Sequence, residues 1–264
     1  MFDRSVLSLV DNLIMTSNDA VHLKDAKSGK YLASNDHNLS IFNLKENDFV
    51  NRTIWDINDT MIQYWIDNAT QMEAYEEQVR LTGRAVVDNS RVWLNSKGYV
   101  WRHTMNKMPV MNLSNNVSAI LSIGRDLTRE LSLKELYGYY RHFYKNKRIT
   151  TTKFLEHTGI IQFFNELPTP TELMVLITRA DFIRNKEVAM NLEYSKSTVE
   201  SYINQIIQKV KDFDSILKKE HLSKTDLKNS ELMQTLVKQS GSKNFDEYLG
   251  KDSNLQEFLK SEEK

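Results

Sequence analysis

Phe182 to Val210 reads FIRNKEVAMNLEYSKSTVESYINQIIQKV. Two runs with helical periodicity flank a tight break. Val188, Ala189 and Leu192 give the first an apolar stripe, and Asn185 is placed to cap it. Ser195 is placed to cap the second, with Thr198 at the position a capping-box acid usually takes. Val199, Ile203, Ile206, Ile207 and Val210 then recur at helical intervals, so this helix buries one face and presents the other. A helix pair of this shape is how a chain offers one helix to the DNA major groove, with an ordinary helical hairpin as the competing reading.

The segment resembles the LuxR-type helix-turn-helix, whose signature runs N-K-E-I-A-x-x-L-x-I-S-x-x-T-V-K-x-H-x-x-x-I-x-x-K-L. Asn185, Lys186, Glu187, Val188, Ala189, Leu192, Ser195, Thr198, Val199, Ile203, Lys209 and Val210 carry the match. Upstream, Thr169-Pro170, Glu172 and Val175-Leu176 resemble that family's first helix, T-P-x-E-x-x-V-L. The resemblance implies a double-stranded DNA partner and base-facing positions at Glu200, Ser201 and Asn204. Asn204 suits adenine and Ser201 several bases. The N-terminus of the second helix, near Ser197 and Thr198, suits a phosphate, reinforced by Lys196 and flanked by Lys186 and Lys209.

Two departures qualify that expectation. Glu200 stands where the family has a lysine, and a carboxylate is repelled by phosphates. Tyr202 replaces the family histidine. Across 168–210, Arg179, Arg184, Lys186, Lys196 and Lys209 face an equal number of acids, Glu172, Asp181, Glu187, Glu193 and Glu200. The formal charge of the whole chain is also zero, so a basic footprint can only be local. Arg141, His142, Lys145, Lys147, Arg148 and Lys153 form such a cluster just upstream, although charge runs are often only solvated faces.

At 264 residues, 40% hydrophobic and 27% charged, the chain suits two soluble domains. No run of about 18 apolar residues suggests a membrane span. Asp3 and Asp11 make the N-terminus a poor secretory signal. The absence of cysteine excludes disulfides, thiolate catalysis and cysteine-held zinc, and fits a cytoplasmic protein.

Residues 3–15 predict an amphipathic helix with Val6, Leu7, Val10, Leu13 and Ile14 on one side. Strands follow at 20–25 and 30–34, joined by the turn Ala26-Lys27-Ser28-Gly29. Short helices are expected after Asn35 or Asp36 and over 54–57, then a longer one over 61–81 that Gly83 ends. Strands at 86–94 and 99–110 flank the turn Asn95-Ser96-Lys97-Gly98, and a further strand covers 117–125. Strands arriving in hairpin pairs argue for an antiparallel α+β domain.

This order resembles the PAS sensor fold over roughly residues 7–128. Val21-His22-Leu23-Lys24-Asp25 through Gly29-Lys30-Tyr31 is similar to its opening hairpin. Trp101 with Lys107-Met108-Pro109 is similar to the W…K-x-P of its fourth strand, and Gly124-Arg125-Asp126-Leu127-Thr128 to its closing G-x-D-I-T. The fold class expected is thus an α+β PAS domain with a five-stranded antiparallel sheet, followed by an all-α LuxR-type helix-turn-helix domain. The expected boundaries are 1–128, a stiff connecting helix over 129–165, the helix-turn-helix domain over 166–215, and a helical extension over 216–264. In that tail, 216–217, 232–237 and 245–249 are apolar groups, and 260–264 reads as a frayed end.

Alternation along the fourth strand puts Tyr99, Trp101, His103 and Met105 on one face. With Tyr64 and Met72 from the long helix, Trp101, His103 and Met105 are the candidate lining for a small-molecule signal. A filled core is the competing reading. Asp126 and Thr128 are the candidates for passing a signal onward. No metal or cofactor is expected: the histidines are dispersed, 61–83 holds none, and no cysteine is present for flavin photochemistry. No enzyme motif is found, and the pairs Glu76-Glu77 and Glu262-Glu263 read as solvated. The implied protein is a signal-sensing transcriptional regulator. The rival is a protein-interaction module whose helix-turn-helix no longer binds DNA strongly. A homodimer is expected because one small helix-turn-helix buries little. Its candidate surfaces are Val6 to Ile14 and Leu131 to Phe143.

Overall fold

The computed structural model describes residues 4–61, 63–65, 67–182, 184–211 and 231–240, and divides the chain into two compact units, Met1–Thr128 and Arg129–Lys264. Among the described residues no helix is long and apolar enough to cross a membrane.

The first unit is built on a five-stranded antiparallel sheet in the order β2-β1-β5-β4-β3. Its strands are β1 (Ala20–Asp25), β2 (Tyr31–Ser34), β3 (Val86–Leu94), β4 (Val100–Met111) and β5 (Val117–Gly124). Both hairpin turns follow from local chemistry. Asp25 accepts from the Ser28 amide at 2.7 Å before Gly29, and Asn95 accepts from the Lys97 and Tyr99 amides at 3.0 Å around Gly98. The two glycines hold φ of +67° and +73°, where a Cβ would be strained. Between β2 and β3 lie α2 (Asp36–Phe42), α3 (Glu46–Phe49), α4 (Ile54–Met61) and α5 (Asn68–Thr82), the last closed by Gly83 in the left-handed region. This is the PAS arrangement.

Period-two alternation divides the sheet between two cores. Val21, Leu23, Ala119 and Leu121 meet Val10 and Ile14 of α1 (Arg4–Thr16) on one face. Ala20, Trp101 and Met105 meet α2 to α5 on the other. The stripe on α1 expected to pair with a second chain is therefore used, through Val10 and Ile14, to cover this unit's own sheet. The helix expected over 61–81 is α5, which starts only at Asn68, while the short helix expected over 54–57 runs on to Met61 as α4. The chain leaves α4 after Met61 so that Trp65 turns inward, stacked on Trp93 at 4.5 Å and edge-on to Phe42 at 5.5 Å.

The second unit is helical. It comprises α6 (Leu133–Phe143), α7 (Lys147–His157), α8 (Pro170–Asp181), α9 (Asn185–Leu192), α10 (Lys196–Lys209) and α11 (Glu231–Ser240). The single stiff connector expected over 129–165 is instead α6 and α7. Tyr144 leaves the helical region at φ −109°, ψ 115°, and Asn146 starts α7 by accepting from the Arg148 and Ile149 amides. Both helices touch α8, so they belong to the same packed body. Leu133, Leu136 and Tyr140, part of the second stripe expected at a dimer contact, are buried in that core. Capping boxes start α6 (Ser132 with Glu135) and α8 (Thr169 with Glu172). Of the tail, α11 packs Leu232, Met233 and Leu236 inward and touches α8. The apolar groups expected at 216–217 and 245–249 and the frayed end at 260–264 lie outside the described residues.

Candidate nucleic-acid interface and sensor interior

Helix α10 is amphipathic in three dimensions as in sequence. Val199, Ile203 and Ile206 are buried, while Ser197, Ser201, Asn204, Gln205 and Gln208 are exposed. The exposed side chains lie at i, i+4, i+7, i+8 and i+11, one face of a helix. All are uncharged hydrogen-bonding groups of the kind that meets base edges. Gln205 and Gln208 were missed because they fall outside the family's base-facing positions; the helical period alone would have added them.

At the start of the helix, Ser195 accepts from the Thr198 amide at 3.0 Å, and its oxygen lies 2.8 Å from the Ser197 and Thr198 hydroxyls. The Thr198 amide expected to face a phosphate is therefore already engaged. Asn185, expected as the cap of α9, is its first residue; Arg184 takes the cap position, and the Asn185 side-chain Oδ1 accepts from Arg179 at 2.8 Å. The turn between the helices is made by Glu193 at φ 57°.

The proposed cations separate into three groups. Lys186 is exposed on α9. Lys196 lies 3.4 Å from Glu200 one turn on, which screens the acid expected to repel DNA. Lys209 is drawn inward: its ammonium donates to Glu172 at 2.8 Å and lies 3.6 Å from Glu166. Burial would raise the Glu172 carboxyl, but Lys209 and the Thr169 amide and hydroxyl hold it below its ordinary value. Lys209 thus anchors α10 to the start of α8 instead of flanking the exposed stripe.

In the first unit, Met72, Trp101, His103 and Met105 do converge on one interior space, but Tyr64 does not line it; Trp65 takes that place. Trp65, Trp93, Trp101 and Phe42 fill most of the volume, leaving a cavity of about 40 Å³. That accommodates water-sized contents, and anything larger must displace lining side chains. His103 stacks on Trp101 at 3.8 Å, and its Nδ1 accepts from Trp93 Nε1 at 3.1 Å. Burial, and then the nearby Arg91, push its pKa down to about 3 against a hydrogen bond that the ring donates to the Trp101 backbone. The ring is neutral at pH 7.

The polar end of this space was not foreseen. Glu76, expected in solvent, is buried between two buried lysines. Lys24 lies 2.8 Å from it and Lys107 2.6 Å, and Lys107 also reaches Ser122 at 3.2 Å. Burial opposes ionisation of Glu76, but Lys107 and Lys24 together overcome it and hold the pKa at about 2. Burial, only partly countered by Glu76, brings Lys24 down to about 8, and Lys107 adds to the fall. The signal was present in the sequence. Lys107 continues the alternation Trp101, His103, Met105; Lys24 follows Ala20 and His22; Glu76 sits one turn beyond Met72.

Asp126 and Thr128 are tied to β4. Thr128 accepts from the Arg102 amide at 2.9 Å, Leu127 donates to the Arg102 carbonyl at 2.7 Å, and Thr104 donates to the Arg125 carbonyl at 3.0 Å, which sets Asp126 opposite His103 in a backbone bridge. Asp126 also caps the turn by accepting from the Thr128 amide at 2.8 Å. Among the described residues no group of three or more histidines or carboxylates is placed to hold a metal ion.

No family model matches the chain, and no curated protein matches it. Among solved structures it is similar to the Vibrio cholerae VqmA–ligand–DNA complex, at 17% identity and a TM-score of 0.40, over 89% of this chain and 87% of that one. It is also similar to the PAS domain of Bordetella pertussis BvgS, at 18% identity and a TM-score of 0.42, over 53% of this chain and 99% of that one. A phage VqmA–DPO complex gives 16% identity and a TM-score of 0.39, over 91% and 88%.

Proposed function

We propose that this chain is a sequence-specific DNA-binding transcriptional regulator whose PAS unit receives a signal. One observation carries the reading: α10 leaves Ser197, Ser201, Asn204 and Gln208 in solvent along one face while its apolar face is locked into a helix-turn-helix. In this reading Asn204 and Ser201 meet base edges, and Lys186, Lys196 and Ser197 meet the backbone. Glu200 orients Lys196 and, as a base-facing residue, accepts only from cytosine. The regulator acts as a cytoplasmic homodimer, since paired half-sites supply the affinity that one small domain lacks.

The signal is a small molecule or a protein. A small molecule would enter beside Met72, Trp101, His103 and Met105 by moving Trp65 or Trp93. His103 then changes place relative to its bridge partner Asp126, and Thr128 with it, shifting the population of two output states. The alternative reading, a protein-interaction module, is favoured by the inward turn of Lys209 and the pairing of Lys196 with Glu200.

Binding to genomic DNA fragments across a salt series separates the two. The regulator binds a subset of fragments, with affinity falling as salt rises, and Asn204→Ala removes the preference for that subset. Binding that ignores salt, or none, supports the interaction module.

A further inference from the structure

Helices α6, α7 and α8 of the second unit enclose an open cleft of about 400 Å³. Its rim carries Arg141, Lys145 and Lys147, all exposed, and no carboxylate lines it. Among the described residues no ion pair engages any of the three. On its floor the Thr150 hydroxyl lies 3.0 Å from both the Tyr144 and Asn146 carbonyl oxygens, so it is already engaged. What the cleft presents outward is concentrated positive charge. At one edge stands Tyr194, the residue before the Ser195 cap of α10, with its ring 6.0 Å from Tyr202 in the second turn of that helix.

The geometry points to this cleft as a sequence-independent clamp for the DNA sugar–phosphate backbone beside the groove that α10 enters. The proposal rests on the DNA-binding reading above and supplies what that reading lacks. The helix-turn-helix segment itself is charge-balanced, its Lys209 is held by Glu172, and its Lys196 lies beside Glu200. A duplex nevertheless needs cations near its phosphates, whose counterions they release. Arg141, Lys145 and Lys147 are the cations that the fold brings to the start of α10. Long exposed side chains around an open cleft suit a continuous polyanion, which is held by charge and not by shape. The upstream basic cluster is, on this account, part of the interface.

The test measures binding of the tightest genomic duplex, and of a random duplex of equal length, from low to high salt. The full chain is compared with Arg141→Gln/Lys145→Gln/Lys147→Gln, with Lys27→Gln/Lys30→Gln/Lys45→Gln as a charge-matched control, and with Asn204→Ala. Loss of three phosphate contacts weakens both duplexes by roughly 10- to 100-fold near physiological salt and flattens the slope of log affinity against log salt by about 2 to 3. Asn204→Ala, in contrast, lowers the preference for the selected duplex and keeps the slope. Unchanged affinity and slope in the cleft variant, or equal losses in the control, overturn the clamp while leaving the regulator intact. Pyrophosphate bound by the full chain and lost in a cleft variant whose DNA affinity is unchanged assigns the cleft to a small anion and also overturns it. No salt-dependent DNA binding by the full chain overturns both.

Discussion

The buried cluster of Lys24, Glu76 and Lys107 makes an asymmetric prediction about stability. Two ammonium groups share one carboxylate inside the first unit. Holding Glu76 at about 2, against its ordinary 4.5, corresponds to roughly 3 kcal/mol in favour of the folded state at neutral pH. Lys24 works the other way: at about 8 instead of 10.5, its charged form costs a similar amount, roughly 3 kcal/mol, at pH 7. Glu76→Gln therefore removes the gain and leaves both lysines without a counter-charge. The expected loss is about 3–5 kcal/mol, seen as a fall of roughly 10–20 °C in Tm. Lys24→Met removes the excess charge and leaves a one-to-one pair, so its effect is expected within about 1 kcal/mol of zero. Tryptophan fluorescence during urea or thermal unfolding reads this unit alone, because Trp55, Trp65, Trp93 and Trp101 all lie within it. If Lys24→Met costs as much as Glu76→Gln, the excess-charge reasoning is wrong.

Two further outcomes follow from the same structure. His103, held neutral down to about 3, takes up no proton on acidification until long after the unfolded imidazole does at 6.5. Stability of the first unit should fall as pH drops below 6.5, by about 2 kcal/mol at pH 5 from this ring, and His22, also lowered by burial, adds in the same direction. The urea midpoint at pH 7.5 and pH 5 checks this, and a flat profile contradicts it. In the second unit, Glu172→Ala removes both the capping box of α8 and the partner of Lys209. A loss of about 1–3 kcal/mol is expected, measured by far-UV circular dichroism during unfolding. An unchanged midpoint would show that the tie between α8 and α10 is immaterial.

The sequence revealed elements that close with local chemistry. Asp25 to Gly29 and Asn95 to Gly98 name their turns, Ser195 caps α10, and Gly83 ends α5. Alternation along β4 placed Trp101, His103 and Met105 in one space. What stayed hidden depends on partners distant in sequence. Glu76 looks solvated beside Glu77 until β1 and β4 bring Lys24 and Lys107 to it. Trp65 reads as part of the long helix, yet it precedes α5 and stacks on Trp93 from the segment between α4 and α5. Lys209 matches a motif, yet Glu172 thirty-seven residues earlier turns it inward. The stripe on α1 was legible as apolar, but whether it met a second chain or its own sheet was not written locally.

In a DNA-binding regulator α10 lies against the duplex, and the absence of cysteine allows a direct measurement of that placement. Asn204→Cys provides a unique attachment point for a reagent that cleaves DNA within reach of the helix. The account predicts cuts confined to a few base pairs inside the protected site, while the same reagent on Lys27→Cys in the first unit gives a different pattern or none. Cleavage spread evenly along the fragment, or absent from a fragment the protein protects, would contradict it.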